Sequence, residues 1–214
     1  MKGIRMVTGQ WRRPAPDTAP VQSKAAGLYM ICTLNKHAAE SQGYDDALML
    51  DWRGLVAEGT GANIFLVQDG KLHTPTPDCF LNGITRQTVI ALAGQRQIPV
   101  IERYIKPEEF ANTTEVFVTG TAAEITPVGA IDDYRFTVGS ITRTLMEDFE
   151  RTVRGKRPVP RRADQARRSL APPPPPPSRA PPPTGRPPHR RCRGPRPSGR
   201  RPPPPPASRR APWS

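Results

Sequence analysis

Of the 29 prolines in this 214-residue chain, 21 follow Lys156. Proline fixes φ and removes a backbone donor, so a stretch such as "APPPPPPSRAPPPTGRPP" can enter neither a helix interior nor a central strand. A fold must therefore be built from residues 1–156 alone. The same break divides the charge: residues 157–214 carry 15 arginines against the single Asp164, whereas residues 1–156 carry 17 Lys+Arg against 18 Asp+Glu. The net +13 and pI near 10.6 thus belong to the tail, and the nucleic-acid or membrane-surface partner that such values suggest is not a property of the front segment. With almost no aliphatic residues the tail cannot offset its ordering entropy, and it is expected to be disordered with local polyproline II. Two origins fit it: an RNA- or SH3-binding arm, or a frameshift in a GC-rich gene, whose codons yield Pro, Arg, Ala and Gly. The second is adopted, and no function is placed on it.

The front segment opens on a strand-like run, Ile4 to Val7, and passes through Pro14, Pro16 and Pro20, which read as a stiff linker. No signal-peptide pattern and no apolar stretch long enough to cross a bilayer is found. Cys32, Cys79 and Cys192 show no metal spacing and no even framework, so a reducing cytoplasm is the expected compartment. A segment of this length buries about two-thirds of its surface as one domain.

Periodicity assigns the elements. Ala25 to Gln42 carries apolar Leu28, Ile31, Cys32 and Leu34 at helical spacing. "DALMLD" and "LVAEG" form a hairpin across Asp51–Gly54, and "NIFLVQDGKLHTPT" a second one with Asp69-Gly70 as its turn. The helix "ITRQTVIALAGQR", the strand "IPVIERY" and the short helix "PEEFANT" follow. The strands "EVFVTG" and "EITPVGAID" flank the small-residue turn "GTAA", and Ser140 to Arg154 close with a helix. The expected class is α+β (mixed α/β) with a substantial sheet.

Three places could carry chemistry. Gly83 leads into a helix opening with Ile84 and Thr85, whose free N–H groups and positive dipole end suit a phosphate; an ordinary helix cap looks the same. Gly120, Thr121, Ala122 and Ala123 form a turn that a ligand could approach closely, with the Thr121 hydroxyl as a donor; tight strand connections also look like this. Lys24 stands at the junction of linker and helix with Tyr29 just beyond, where a lysine is ordinarily a solvated charge. To these "LVAEGTGANIFLV" adds an isolated acid, Glu58, at the mouth of two strands with no sequence neighbour to neutralise it. There is no P-loop and no dinucleotide fingerprint, and His37 and His73 have no paired ligand.

Taken in order, "SKAAGLY", "EGTGANIF", "KLHTPTPDCFLNGITRQ" and "FVTGTAAEITPV" resemble the class IV, D-amino-acid-aminotransferase-like pyridoxal-phosphate enzymes. Glu58, Asn63, Ile64, Phe65, Leu72, Thr74, Leu81, Gly83, Ile84 and Arg86 fit the signature at its spacings. Branched-chain amino acid aminotransferases are the nearest type, favoured by "GTAAEITPV" and "YMICTLNKHAAESQGYDDALMLD"; D-amino-acid aminotransferase and aminodeoxychorismate lyase share the lysine, the acid and the phosphate helix. The resemblance runs from about Gly3 to Gly155.

That resemblance implies a cofactor, pyridoxal 5′-phosphate, and a role for each odd feature. Lys24 would form the internal Schiff base and then move the substrate proton, which calls for an amine kept neutral by burial. Glu58 would face the pyridine nitrogen, aimed by the Gly59–Gly61 turn, and favour its protonated form by about 1–3 pKa units. Tyr29 would bond the phenolic oxygen, Leu81 would pack on the ring, Ile84 and Thr85 would hold the phosphate with Thr121, and the N–H groups of Thr121 and Ala122 would take the substrate carboxylate. The substrates implied are leucine, isoleucine or valine with 2-oxoglutarate. A homodimer or higher homo-oligomer is implied for the full-length protein, with no nucleic acid or membrane partner for the core. The domain organisation expected is a partial strand and linker over residues 1–23, the cofactor-binding domain over 24–156 and the tail over 157–214. A family-type N-terminal domain, with an arginine that clamps the phosphate, is expected to precede the linker, so the chain reads as a truncated product of low activity.

Overall fold

A computed structural model describes residues 2–156 and Pro158; the expected disorder of the Pro/Arg segment, and Cys192, otherwise lie outside the described residues. The nine strands are β1 (Ile4–Thr8), β2 (Asp46–Leu50), β3 (Val56–Gly59), β4 (Asn63–Gln68), β5 (Lys71–Pro75), β6 (Val100–Arg103), β7 (Glu115–Gly120), β8 (Glu124–Ile131) and β9 (Tyr134–Arg135). The helices are α1 (Met30–Ser41), α2 (Ile84–Gln95) and α3 (Ser140–Val153), with 3-10 turns at Ala26–Leu28 and Pro107–Asn112. The architecture is mixed α and β, and its sheet carries both parallel and antiparallel pairs.

Strand order runs β3-β2-β1-β8-β7-β4-β5-β6, and β3 also pairs with β4. Six strands, β3-β2-β1-β8-β7-β4, therefore close on themselves, with β5 and β6 extending beyond β4. Closure removes two sheet edges that would otherwise expose unpaired N–H and C=O groups. Met6, Leu48, Val56, Ile64, Val118 and Val128, one from each strand of the ring, belong to one buried cluster, as an interior requires. A second cluster lies on the outer face, where Phe65 and Phe117 stack at 5.1 Å and meet Val89 and Leu92 of α2 and Leu145 and Phe149 of α3. Inward and outward side chains alternate along β4 and β7, the period of two that a sheet covered on both faces demands.

Two elements differ from expectation. Residues 4–8, grouped in sequence with the linker, form an interior strand held between parallel neighbours β2 and β8. Only Met6 of this strand is fully buried, and what makes it interior is pairing on both edges with strands that lie about 40 and 125 residues further along the chain. In α1 the buried positions are Cys32, Asn35 and Ala39, while Leu34 of the expected stripe is exposed, as is Met30. Asn35 sets that rotation: its Oδ1 accepts from Trp11 N at 3.0 Å and its Nδ2 donates to Trp11 O at 2.7 Å. A buried amide that pairs with both the backbone N–H and the C=O of one residue outweighs the apolar stripe. The Asp69-Gly70 turn has φ of +49° and +70°, the left-handed pair that a two-residue hairpin needs.

Helix α2 is braced by Arg86, which is fully buried. It donates to Thr74 Oγ1, Asn82 Oδ1, Pro75 O and Glu102 Oε2, the last at 2.7 Å. One guanidinium thus ties the start of α2 to β5 and β6. Arg86→Met keeps much of the volume but strands these acceptors, and we expect a loss of about 3 kcal/mol of stability. Urea unfolding of the apo chain checks this; a loss below about 1 kcal/mol would show that the brace is dispensable.

Candidate functional site

Strand register produces the site. Glu58 on β3 lies opposite Asn63 on β4, and Asn63 lies opposite Thr119 on β7. Opposed residues share a face at about 4.5–5.5 Å, so three polar side chains cross the sheet in a row. They occupy the outer face, two residues from Phe65 and Phe117 of the apolar cluster that α2 and α3 cover. Above the row is a cavity of about 280 Å³ whose wall includes Lys24, Tyr29, Leu81, Ile84, Thr85 and Thr121 together with Glu58, Asn63 and Thr119.

Glu58 forms one end of the row. Its partner is Arg13, 4 % exposed, with Nε 3.4 Å from Glu58 Oε1. That contact is long, and Arg13 also donates to Cys79 O and Leu28 O, each at 3.3 Å, and to Cys32 Sγ. Desolvation therefore outweighs the guanidinium, and the Glu58 carboxyl is pushed up to about 8. The same burial pushes Cys79 up to about 12 and raises Cys32, so neither thiol is an activated nucleophile.

The N-terminus of α2 forms the other end. Gln87 N closes the first turn onto Gly83 O at 3.0 Å, and Gly83 N donates to Asn63 Oδ1 at 3.2 Å. The N–H groups of Ile84, Thr85 and Arg86 precede any intrahelical acceptor, leaving a positive dipole end at the cavity. Close by, Thr119 Oγ1 is buried without a hydrogen-bond partner. An orphaned buried hydroxyl is costly unless a ligand or water completes it. The arrangement suits a flat molecule with a basic nitrogen at one end and an anion at the other. Lys24, on the cavity wall, adds an amine that can engage a carbonyl.

Sequence reasoning and structure meet here residue by residue. Lys24, Tyr29, Glu58, Leu81, Ile84, Thr85 and Thr121, drawn from four separate stretches, share one cavity. Lys24, expected to be buried, lines the cavity but is exposed. Ala122 is exposed and, unlike Thr121, does not line the cavity. The tight turn expected at Gly59 and Gly61 is present, closed by Gly59 N donating to Ala62 O at 2.7 Å; it needs no positive φ, and a Cβ at Gly59 would meet Asp46 Oδ2 at 3.1 Å, so close packing accounts for that glycine. Arg13 and Thr119 were missed. Nothing local marks Arg13, whose carboxylate partner is 45 residues away. Thr119 was within reach, since alternation along β7 places it with Phe117.

The family model of amino-transferase class IV matches residues 1–131. A probable branched-chain-amino-acid aminotransferase of Rickettsia felis is 45 % identical over 157 residues, 72 % of this chain and 54 % of that protein. Among solved structures, the branched-chain aminotransferase of Thermoproteus uzoniensis with norvaline is similar, with a TM-score of 0.71, 43 % identity, and coverage of 73 % of this chain and 53 % of that one. The branched-chain amino acid aminotransferase of Thermobaculum terrenum in its PLP form gives a TM-score of 0.70 at 37 % identity, covering 72 % and 52 %. The chain spans about half the length of the curated relatives it matches.

Glu58 makes a stability prediction. Its carboxyl titrates near 4.5 unfolded and about 8 folded, so between those values the folded state holds the extra proton. Stability then falls as pH rises through that window and stays lower above it, by on the order of 5 kcal/mol. Urea midpoints of the apo chain at pH 5, 7 and 9 should drop steadily, and Glu58→Gln should remove this component. Parallel pH profiles for the two proteins would refute it.

Proposed function

This chain belongs to the amino-transferase class IV family, and from that premise we propose that it forms the cofactor-holding part of a branched-chain amino acid transaminase using pyridoxal 5′-phosphate. Leucine, isoleucine or valine would give its amino group to 2-oxoglutarate, leaving a branched 2-oxo acid and glutamate. One observation carries the reading: a single cavity gathers the Lys24 amine, the Glu58 carboxyl and the open N-terminus of α2. The branched-chain names of the relatives at 45 % and 43 % identity support this substrate class over D-amino acids or aminodeoxychorismate.

Pyridoxal phosphate, when bound, supplies an aldehyde for the amino group and a ring that delocalises the electron pair left at the substrate Cα. The residues supply the rest. Ile84 and Thr85 would hold the phosphate through their backbone N–H groups, with the Thr121 hydroxyl beside them and the orphaned Thr119 hydroxyl as a further donor. Glu58, protonated below about pH 8 in the apo chain, would hold its proton against the ring nitrogen. Arg13 would stabilise the carboxylate once that proton moves across. Lys24 would anchor the aldehyde carbon and then carry the proton from Cα, while Tyr29 bonds the phenolic oxygen and Leu81 packs on the ring. The N–H groups of Thr121 and Ala122 would receive the substrate carboxylate.

Exposure of Lys24 leaves its amine solvated, so residues 1–214 alone are expected to turn over leucine slowly. For the full-length protein we propose a homodimer or higher homo-oligomer in the cytoplasm; no helix among the described residues is long and apolar enough to cross a membrane. Pyridoxal phosphate added to the folded chain, followed by borohydride and peptide mapping, should label Lys24, and Lys24→Ala should abolish the label. Labelling of another lysine, or none, would overturn the assignment. On the full-length protein, leucine with 2-oxoglutarate should outpace D-alanine.

A further inference from the structure

Asn63 is 6 % exposed, and its amide is used at both ends. Its Nδ2 donates to Leu81 O at 2.9 Å and to Glu58 Oε2 at 3.4 Å. Its Oδ1 accepts from Gly83 N at 3.2 Å. The residue stands directly opposite Glu58 in the strand register, and a Cβ placed on Gly83 would come within 2.5 Å of Asn63 Oδ1. One rigid planar group therefore touches the carboxyl at one end of the cavity and the peptide that starts α2 at the other.

From this we propose that Asn63 is a positioning residue that couples the two ends of the site, so that the orientation of the Glu58 carboxyl and the placement of the α2 N-terminus change together. The proposal rests on the cofactor reading above. The physical basis is the geometry of a primary amide: its donor and acceptor lie in one plane, so rotating the group to follow one partner moves it off the other. By occupying Gly83 N–H, the side chain also leaves to an anion the N–H groups of Ile84, Thr85 and Arg86. By donating to Oε2 it fixes which oxygen faces Arg13. Gly83 gains a reason that helix capping alone does not give: any side chain there would displace the amide.

Three ligands separate the two ends: pyridoxal phosphate, its 1-deaza analogue with CH in place of the ring nitrogen, and pyridoxal, which lacks the phosphate. Dissociation constants are measured by absorbance and fluorescence titration for wild type, Asn63→Ala, Gly83→Ala and the double variant, with folding checked by circular dichroism. Wild type should prefer pyridoxal phosphate over both analogues. Asn63→Ala should reduce both preferences by about fivefold or more. Gly83→Ala, although it lies at the phosphate end, should reduce the ring-nitrogen preference as well. In the Asn63→Ala background the added methyl has room, and Gly83→Ala should then have no further effect on either ratio. If Asn63→Ala does not fold, the Gly83→Ala comparison decides alone. Equal weakening for all three ligands, with both ratios unchanged, would reduce Asn63 to a structural part. A change confined to the phosphate ratio would leave it an anchor of α2 without coupling. Absence of pyridoxal phosphate binding by wild type would instead remove the cofactor reading, and this proposal with it.

Discussion

The pairing of β3 with β4 through Glu58 and Asn63 is the constraint on which the rest depends. It closes six strands into a ring, and in the same register it sets Glu58, Asn63 and Thr119 side by side on the outer face. A slip of one residue would turn these polar groups into the apolar interior and bring Ile64 and Val118 out. The hydrophobic filling of the ring thus enforces the alignment of the polar row. Fold and site are specified by one alternation, and the core cluster is what makes the site geometry costly to distort.

The site departs from what stability alone would select. An acid is buried beside a guanidinium that spends its donors elsewhere, and a threonine hydroxyl has no partner. Both are unfavourable in an empty pocket and favourable once a cation and an anion of matching shape arrive. The contrast with Arg86 is instructive. That arginine is equally buried, yet four acceptors surround it, and it serves only to hold a helix in place.

Much of the fold was legible because its determinants are local. The Asp69-Gly70 hairpin, the strand alternation around the small-residue turn, and the helix after Gly83 each announce themselves within a dozen residues. What could not be read depends on distant partners. The interior position of β1 requires β8, and the rotation of α1 is decided by Asn35 binding the backbone N–H and C=O of Trp11 rather than by its apolar stripe. The site shows the same division. Glu58 stands out as an isolated acid, and Lys24 and the α2 N-terminus become legible through the family signature that surrounds them, whereas Arg13 looks like any linker arginine until the fold brings it to Glu58. The exposure of Lys24 ran against expectation because burial depends on what packs around a residue, which its own sequence neighbours do not record.

The place of β1 carries a consequence for how the molecule is made. Its residues 4–6 lie beside residues 128–131, so during synthesis β1 can pair only with β2 until β8 has emerged. Its other edge stays open until residue 131 has been synthesised, which favours slow closure and strand exchange between neighbouring nascent chains. Assembly order is thereby written into topology: β1 gains its second neighbour only when β8 is made.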